Sequence, residues 1–334
     1  MSQQDSVTVF QGNPRQSEEN IRDYFSRISK ILKISPVAVR GRYYRMKETP
    51  SKHKSIEDGR KVEFSDWRDT LGAMKHLQRI RKSNSSNNPT VKIDTDKPIA
   101  IIGIGDTQVG SWGTDYELFQ KMTDEIVNTP NLYVILLGDI LQLAIKLRGV
   151  AEVQDNMIPS GMQYDFLDSW LSEVGHKVLA ATWCNHGPMR EERGIGYSPS
   201  ARIFSKYTHY FSGIGHMDLH VGSQVYKIAA THFFRGRSMY NPVHGGSRYM
   251  REMACDRDLT MAGDSHVPGM LKYNEGGNTR VALNCGSIQT NSSYAKRFFS
   301  LTTAPVFPCA VLSPDEHVVT PFWSVKEWLS IQNS

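Results

Sequence analysis

The sequence predicts a layered α/β fold preceded by a small all-α domain. The chain has 334 residues, enough for two domains or for one large domain with an appendage. Residues 18 to 47 repeat apolar side chains at helical spacing, whereas from Pro98 onward short apolar runs alternate with helical stretches. Strands that alternate with helices are typical of α/β proteins, in which functional residues gather beyond the carboxyl ends of the strands.

The composition is that of an ordinary globular protein, with 39% hydrophobic and 22% charged residues. No stretch approaches the roughly 18 apolar residues of a membrane span, and the polar start of the chain is unlike a secretory signal. The four cysteines are far apart and form no CxxC pair, so they indicate neither a disulfide framework nor a zinc ribbon. We therefore expect a reducing, cytoplasmic setting, in a bacterium or a phage-infected host cell.

The basic charge is concentrated at the front of the chain. Residues 1 to 97 hold 20 Lys and Arg against 12 Asp and Glu, whereas the remainder holds 19 against 22. This asymmetry indicates that an anionic polymer would bind to the front of the chain.

Residues 1 to 50 are predicted to form a basic domain that resembles a helix-turn-helix. The first helix has its apolar residues at Ile21, Tyr24, Phe25, Ile28, Ile31 and Leu32. Ser35 and Pro36 then supply the start signal of a second helix over Val37 to Met46. The resemblance implies DNA as the partner, contacted by Arg40, Arg42, Arg45 and Lys47. The alternative is a solvated basic helix pair that packs on the main domain.

Residues 51 to 97 are predicted to be a linker that contains one amphipathic helix. Loop-forming residues flank it, ending with the run SNSSNNP at Ser83 to Pro89. Between the loops, Phe64 to Ile80 places apolar residues at Trp67, Leu71, Met74 and Leu77.

Residues 98 to 325 form the predicted α/β domain. It contains six apolar runs. The first four each end in polar residues, and a hairpin signal over Glu275 to Asn278 separates the last two. The runs are Ile99–Ile104, Tyr133–Leu137, Lys177–Trp183, Tyr226–Thr231, Met270–Tyr273 and Arg280–Leu283.

Five polar clusters are the strongest functional signal. They contain Asp106-Thr107-Gln108, Gly138-Asp139, Asn185-His186, His232, and Gly263-Asp264-Ser265-His266, and the first four each follow an apolar run. One Gly-Asp pair could simply cap a helix. Turn chemistry alone does not account for five clusters rich in Asp, Asn, Gln and His.

These clusters resemble the motifs of the calcineurin-like metallophosphoesterase family, which run D-x-H, G-D-x-x-D, G-N-H-[DE], a lone His and G-H-x-H. The resemblance covers roughly Pro98 to Trp323, and Asn284-Cys285-Gly286-Ser287 is similar to the family's N-P-G-S segment. It implies a four-layer α/β/β/α sandwich and two divalent metal ions about 3.5–4 Å apart, which activate a hydroxide for attack on a phosphoester.

The resemblance also implies a role for each matching residue. The metal ligands would be Asp106, Gln108, Asp139, Asn185, His232, Asp264 and His266. Asp139 would bridge the two ions, and His186 would correspond to the histidine that protonates or stabilises the leaving oxygen. Carboxylates, imidazoles and neutral amide oxygens are ligands that such ions accept.

Several residues depart from the family pattern. Gln108 stands where the family has His, and Asp264 replaces the first His of G-H-x-H. Both changes replace nitrogen with oxygen, so we expect a preference for Mn²⁺ or Mg²⁺ over Zn²⁺, with Fe²⁺ also acceptable. Gln142, Cys184 and Gly187 depart from the motifs outside the usual ligand set. A degenerate, inactive domain is the competing interpretation.

The segment after His232 is rich in arginine. Arg235, Arg237 and His244 could bind the substrate phosphate, because arginine suits bidentate phosphate recognition. The alternative is a solvated loop before a helix that starts at Gly245-Gly246-Ser247.

The leading functional hypothesis is a nuclease or another DNA-associated phosphoesterase, because the basic front domain favours nucleic acid. The first alternative is a phosphatase that acts on a small phosphoester or a phosphoprotein. The second is a DNA-binding regulator whose phosphoesterase fold is only a scaffold. A basic domain appended to a compact catalytic body suits a phage or mobile-element protein.

Overall fold

The computed structural model describes residues 3–48, 68, 70–76, 78, 88–144, 156–236, 238, 240–289 and 305–332. The chain divides into two compact units, residues 1–81 and residues 82–334. None of the described helices is both long and apolar enough to cross a membrane.

Residues 3–48 of the first unit form three helices, α1 (Gln3–Gly12), α2 (Ile21–Leu32) and α3 (Pro36–Glu48). Asn20 caps α2 by accepting hydrogen bonds from two backbone N–H groups of its first turn, and Lys33 ends the helix with a left-handed φ of 53°. The Ser35 hydroxyl accepts from the Ala38 N–H at the start of α3. The predicted start of the second helix at Ser35 and Pro36 is therefore confirmed.

A small core joins the three helices. Its buried members are Phe10, Tyr24, Phe25, Ile28, Leu32 and Val39. Ile21 and Ile31, which we expected on the same apolar face, are 38% and 46% exposed. Ile21 is the first residue of α2 and Ile31 lies at the edge of the face that Tyr24, Ile28 and Leu32 make, so the core covers both only in part.

Two of the four side chains predicted to contact DNA lie among the described residues. Arg40 is exposed and its guanidinium lies 5.9 Å from the centre of the Tyr44 ring, and Arg42 is half-buried. The side chains of Arg45 and Lys47 lie outside the described residues.

The amphipathic helix predicted over residues 64–80 is also described in part. Residues 70–76 are helical, and Leu71 and Met74 are each 49% exposed. Trp67 and Leu77 lie outside the described residues.

The second unit contains two six-stranded sheets. The first sheet has the order β12-β11-β2-β3-β4-β5. Its strands are β2 (Ile99–Ile104), β3 (Leu132–Leu136), β4 (Val178–Thr182), β5 (His209–Phe211), β11 (Cys309–Leu312) and β12 (Val319–Phe322). Strands β2 to β5 are parallel, so their carboxyl ends lie at one edge of the sheet.

The second sheet has the order β1-β6-β7-β8-β10-β9. Its strands are β1 (Thr90–Ile93), β6 (Gly215–Val221), β7 (Gln224–Ala230), β8 (Leu259–Ala262), β9 (Gly269–Glu275) and β10 (Asn278–Asn284). Strands β7, β8 and β10 are parallel, and the predicted hairpin joins β9 to β10. Strand β1 pairs with β6 and lies in the segment that we expected to be a linker.

Helices cover the outer faces of the two sheets. The helices described in this unit are α4 (Tyr116–Asn128), α5 (Ser160–Val174), α6 (Pro188–Ile195), α7 (Pro199–Tyr207), α8 (His244–Glu252) and α9 (Val325–Gln332), with a 3₁₀ turn at Gly175–Lys177. Helix α4 contacts β3 of the first sheet, and α8 contacts β8 and β10 of the second.

The two sheets share one hydrophobic core. Ile101 of β2, Leu219 of β6 and Val281 of β10 belong to the same buried cluster. Every residue of β2 is buried, because one face of the strand packs on helices and the other on the second sheet. The α/β fold with its α/β/β/α layers, as predicted, is confirmed.

Candidate metal centre

The predicted site residues follow the carboxyl ends of strands from both sheets. In the first sheet, Asp106 follows β2, Asp139 follows β3, and Asn185 and His186 follow β4. In the second sheet, His232 follows β7, and Asp264 and His266 follow β8. Because the two sheets pack face to face, loops that are far apart in the sequence meet at one edge of the sandwich.

The loops that carry the site are bent into left-handed backbone conformations. Five predicted ligands have positive φ angles, namely Asp106 (54°), Gln108 (46°), Asp139 (50°), Asp264 (65°) and His266 (57°). Each non-glycine residue in this conformation lowers the free energy of unfolding by on the order of 1 kcal/mol, and the conformation persists only where neighbouring groups hold the backbone in place. Cross-loop hydrogen bonds do so here: the Asp106 N–H donates to Gly138 O at 3.1 Å and the Gln108 N–H to Asp139 O at 2.9 Å.

The side chains converge on a small buried cluster. Asp106, Asp139 and His232 each offer one ligand atom, and these three atoms lie within 4.8 Å of one another. His232 Nε2 is 3.3 Å from Asp139 Oδ2 and 3.4 Å from Asp264 Oδ1. His266 Nε2 is 3.3 Å from Asp106 Oδ1. These five side chains form what we call the strand-end cluster.

Neighbouring groups orient the members of the cluster. The carbonyl of Leu137 accepts from His232 Nδ1 at 2.7 Å, so Nε2 faces the carboxylates. Asp106 is held by the Asp264 N–H, which donates to its Oδ2 at 2.7 Å, and by Ser287 Oγ, which donates to its backbone carbonyl at 2.7 Å. Ser287 belongs to the segment that resembles N-P-G-S, so that segment supports the site without supplying a ligand.

The charges of the cluster shift the pKa values of its carboxyl and imidazole groups. Burial would raise the pKa of Asp139, but His232 and His186 lower it well below its usual range. Burial would likewise lower the pKa of His232, but the Asp139 carboxylate raises it to about 9. For His266, the Asp106 carboxylate overcomes burial and raises the pKa. The carboxylates thus attract positive charge, either as protons on the imidazoles or as a cation.

The cluster fits a divalent cation. Two buried atoms of the cluster, Asp106 Oδ1 and His232 Nε2, make no hydrogen bond, and neither does the buried Oδ1 of Asn185, the residue before His186. Buried polar atoms without partners are costly, and a cation would satisfy two oxygens and an imidazole nitrogen together. Asn185 was predicted as a ligand, and its buried amide oxygen is suited to that role.

His186 is held beside the cluster by its own neighbours. Its backbone N–H donates to Asp139 Oδ1 at 3.0 Å, and its ring Nε2 lies 3.8 Å from Asp139 Oδ2. Because a carbonyl can only accept, Nδ1 donates to Gln142 O at 3.1 Å.

Arg190 is a site residue that the sequence analysis missed. Its guanidinium lies 3.2 Å from His186 Nε2 and donates to Gln142 O at 3.0 Å. Arg190 is four residues after His186, a spacing that allows contact where a helix begins. That spacing was the signal in the sequence.

The other predicted residues are less closely tied to the cluster. Gln108 is buried, and its backbone carbonyl accepts from Thr114 Oγ1 at 2.8 Å. Arg235 and His244 are exposed, and within the described residues no hydrogen bond or ion pair joins either side chain to the cluster. Arg237 lies outside the described residues.

Comparison with known proteins finds similarity among solved structures alone. No protein-family model matches the sequence, and no curated protein matches it. A conserved uncharacterized protein from Streptococcus pneumoniae TIGR4, described as a predicted phosphoesterase, is 17% identical, with 67% of this chain and 97% of that chain covered and a TM-score of 0.32. Vps29 complexed with Zn²⁺ from Entamoeba histolytica is 14% identical, with 67% and 97% covered and a TM-score of 0.33.

A metallophosphoesterase from Sphaerobacter thermophilus is 12% identical, with 70% of this chain and 93% of that chain covered and a TM-score of 0.33. These TM-scores lie below 0.5, and the function proposed below therefore rests on the strand-end cluster of this chain. The solved structures that the chain matches thus include a metallophosphoesterase and a calcineurin-like phosphoesterase.

Proposed function

We propose that the chain is a phosphoesterase that depends on divalent metal ions and hydrolyses phosphodiester or phosphomonoester bonds. The observation that carries this proposal is the meeting of Asp106, Asp139, His232, Asp264 and His266 at one edge of the sandwich, with unsatisfied buried ligand atoms.

The residues of the chain have distinct roles in this proposal. Asp106, Asp139, Asn185, His232, Asp264 and His266 would hold the ions, and Gln108 would complete the set. Bound ions supply Lewis acidity that neutralises the phosphoryl oxygens during in-line displacement. His186 and Arg190 add an imidazole and a permanent positive charge beside the cluster, where they would bind the leaving oxygen or the phosphate.

The ligand set favours hard ions. Three carboxylates (Asp106, Asp139 and Asp264) and amide oxygens outnumber the two imidazoles, a balance that suits Mn²⁺ or Mg²⁺ better than Zn²⁺. Titration of metal-stripped protein with each ion tests this preference. Activity restored by Zn²⁺ alone would contradict it.

The decisive experiment is hydrolysis of bis-p-nitrophenyl phosphate by metal-stripped protein to which Mn²⁺ is returned. The variant Asp139→Ala should lose turnover and Mn²⁺ binding together. The control Asp168→Ala removes a carboxylate on α5 that pairs with Lys206 at 2.8 Å, and it should retain both. Failure of the wild type to bind any divalent ion would favour the alternative in which the fold is an inactive scaffold.

We further propose nucleic acid as the substrate, with DNA held by the first unit. The basic residues of α2 and α3 support this proposal, together with the short turn between those helices. A phosphatase acting on a small phosphoester or a phosphoprotein is the alternative.

Binding of labelled duplex DNA to the full chain, measured over a range of salt concentrations, tests the DNA proposal. Arg40→Ala should weaken binding and lower the salt slope by about 1. Arg202→Ala removes an exposed arginine of α7 and should change neither quantity. If the wild type cleaves bis-p-nitrophenyl phosphate but neither binds nor cleaves DNA, the phosphatase alternative is favoured.

A further inference from the structure

The segment at the end of β10 connects two loops of the metal centre. It consists of Asn284, the last residue of β10, and residues 285–287, and all four residues are buried. At one end, Ser287 Oγ donates to the backbone carbonyl of Asp106 at 2.7 Å. At the other end, Asn284 contacts the loop after β8, which carries His266. The segment therefore ties the loop after β2 to the loop after β8.

The side-chain amide of Asn284 bridges the two residues on either side of His266. Its Nδ2 donates to Ser265 Oγ at 2.8 Å and to Val267 O at 2.7 Å. A longer contact of 3.2 Å joins the same nitrogen to Cys285 O. Because carbonyl oxygens can only accept, the nitrogen of the amide and not its oxygen must face Val267 and Cys285.

The backbone of His266 needs such support. Its φ of 57° is left-handed, a conformation that a non-glycine residue keeps only where neighbouring groups hold it. Ser265 and Val267 are also joined to each other, because the Val267 N–H donates to Ser265 Oγ at 3.3 Å. Asn284 is 4% exposed, so little water competes for its amide. The amide thus closes a ring of hydrogen bonds through both neighbours of His266.

This ring places the His266 imidazole against a carboxylate. His266 Nε2 lies 3.3 Å from Asp106 Oδ1, a buried oxygen that makes no hydrogen bond. Asp106 is held by Ser287, from the other end of the same segment. One four-residue segment therefore sets the separation between two side chains that would share an ion.

His232 is held by different bonds. Its Nδ1 donates to the Leu137 carbonyl at 2.7 Å, and its backbone carbonyl accepts from the Gly263 N–H at 2.9 Å. Loss of the Asn284 amide should therefore displace His266 and leave His232 in place.

We propose that Asn284 is a positioning residue of the metal centre, whose amide fixes the backbone of His266 and thereby the affinity of the chain for a divalent ion. The inference rests on the proposed phosphoesterase function and adds to it a residue that acts through His266 and is not itself a ligand. Residues that hold metal ligands in place typically change metal affinity by about 10- to 100-fold when they are removed.

Titration calorimetry of the metal-stripped full chain with Mn²⁺ tests the proposal in a double-mutant cycle. Asn284→Ala should weaken Mn²⁺ binding roughly 10- to 100-fold in the otherwise wild-type chain. In the background of His266→Ala it should change the affinity by less than about twofold, because the imidazole that it positions is gone. A merely structural role would give the same loss in both backgrounds.

Ser265→Ala is the milder variant, since it removes one of the acceptors beside His266 and leaves the amide in place. It should weaken Mn²⁺ binding by roughly two- to tenfold, as the loss of one hydrogen bond would. Asn278→Ala is the control, because it removes an exposed asparagine at the opposite end of β10 and should keep the wild-type affinity.

Two results would overturn the proposal. One is wild-type Mn²⁺ affinity in both Asn284→Ala and Ser265→Ala, and the other is an equal loss on Asn284→Ala with and without His266. Hydrolysis of bis-p-nitrophenyl phosphate separates this failure from that of the proposed function. A wild-type chain that binds Mn²⁺ and turns over, with either of those two results, removes the role of Asn284 alone, whereas a wild-type chain that binds no divalent ion removes the phosphoesterase as well.

Discussion

Arg190 and His186 are in direct contact, with Nη2 of the guanidinium 3.2 Å from Nε2 of the imidazole. A guanidinium can only donate, so Nε2 accepts, in agreement with an Nδ1 that donates to Gln142 O. Both neighbours hold the imidazole in one orientation beside Asp139.

This contact predicts that Arg190 positions His186. Arg190→Ala should lower kcat on bis-p-nitrophenyl phosphate by about tenfold or more, because a hydrogen bond to a charged group contributes about 1.5–3 kcal/mol. KM should change much less. Arg193→Ala, which removes an exposed arginine of the same helix, should leave both constants unchanged. A variant whose KM rises while its kcat is unchanged would show that Arg190 serves only in substrate binding.

Metal binding should strengthen as the pH rises. The Asp139 carboxylate raises the pKa of His232 to about 9 in the metal-free protein, although burial alone would lower it. The imidazole therefore carries a proton at neutral pH, and a metal must displace that proton. The apparent affinity for Mn²⁺ should rise by up to about tenfold per pH unit between pH 6 and pH 9. Titration calorimetry in two buffers of different ionisation enthalpy would count the released protons, and a count of zero would refute the prediction.

Gly138 should tolerate no side chain. Its φ of 89° is in the left-handed region, and a Cβ atom there would lie 2.5 Å from Cys184 Cβ and 2.8 Å from His232 Nδ1. Gly138→Ala should therefore lower the free energy of unfolding by about 2–4 kcal/mol.

The matched substitution is Gly194→Ala in α6, where a Cβ atom would meet nothing within 4 Å. It should be neutral, or stabilising by up to about 1 kcal/mol, because alanine has the higher helix propensity. Thermal unfolding of both variants measures the difference. Equal Tm values for the two variants would show that the loop after β3 can relax.

One cysteine should react with thiol reagents in the folded protein. Cys184, Cys285 and Cys309 are buried, and burial raises the pKa of each thiol, that of Cys309 to about 12. Cys255 is exposed. Ellman's reagent should therefore release about one equivalent at neutral pH and four after unfolding, and Cys255→Ser should abolish the native signal. Rapid release of two or more equivalents would show that the edge of the sandwich opens.

Six of the twelve strands described in the second unit were predicted from the sequence. The six predicted runs match β2, β3, β4, β7, β9 and β10. Strands such as β2 and β4, which are buried on both faces, leave nearly continuous apolar segments in the sequence. Strand β1 was not predicted, because its alternating residues are at most half-buried and it follows a loop-like run. Strand β6 was not predicted either, because its polar residues alternate with buried ones and include two histidines.

The identity of the candidate ligands also came from the sequence. Asp106, Asp139, Asn185, His232, Asp264 and His266 could be named because polar residues after apolar runs mark the carboxyl ends of strands. Their left-handed backbone conformations could not be predicted, since those of Asp106 and Gln108 depend on hydrogen bonds to the loop after β3, more than thirty residues away. The role of Arg190 had a local signal in its spacing from His186, but the carbonyl of Gln142 that joins them comes from another loop.

The sequence by itself determined half of the strands, two helices of the small helical domain and the chemistry of the strand-end residues, because each depends on local spacing and side-chain type. Only the tertiary structure decided which of those residues meet, how the second sheet brings His232 and Asp264 to the carboxylates of the first, and that Asn284 bridges the two neighbours of His266. The physical reason is that these relationships join loops from two packed sheets. Their geometry is set by the shared core between the sheets and not by any one segment of the chain.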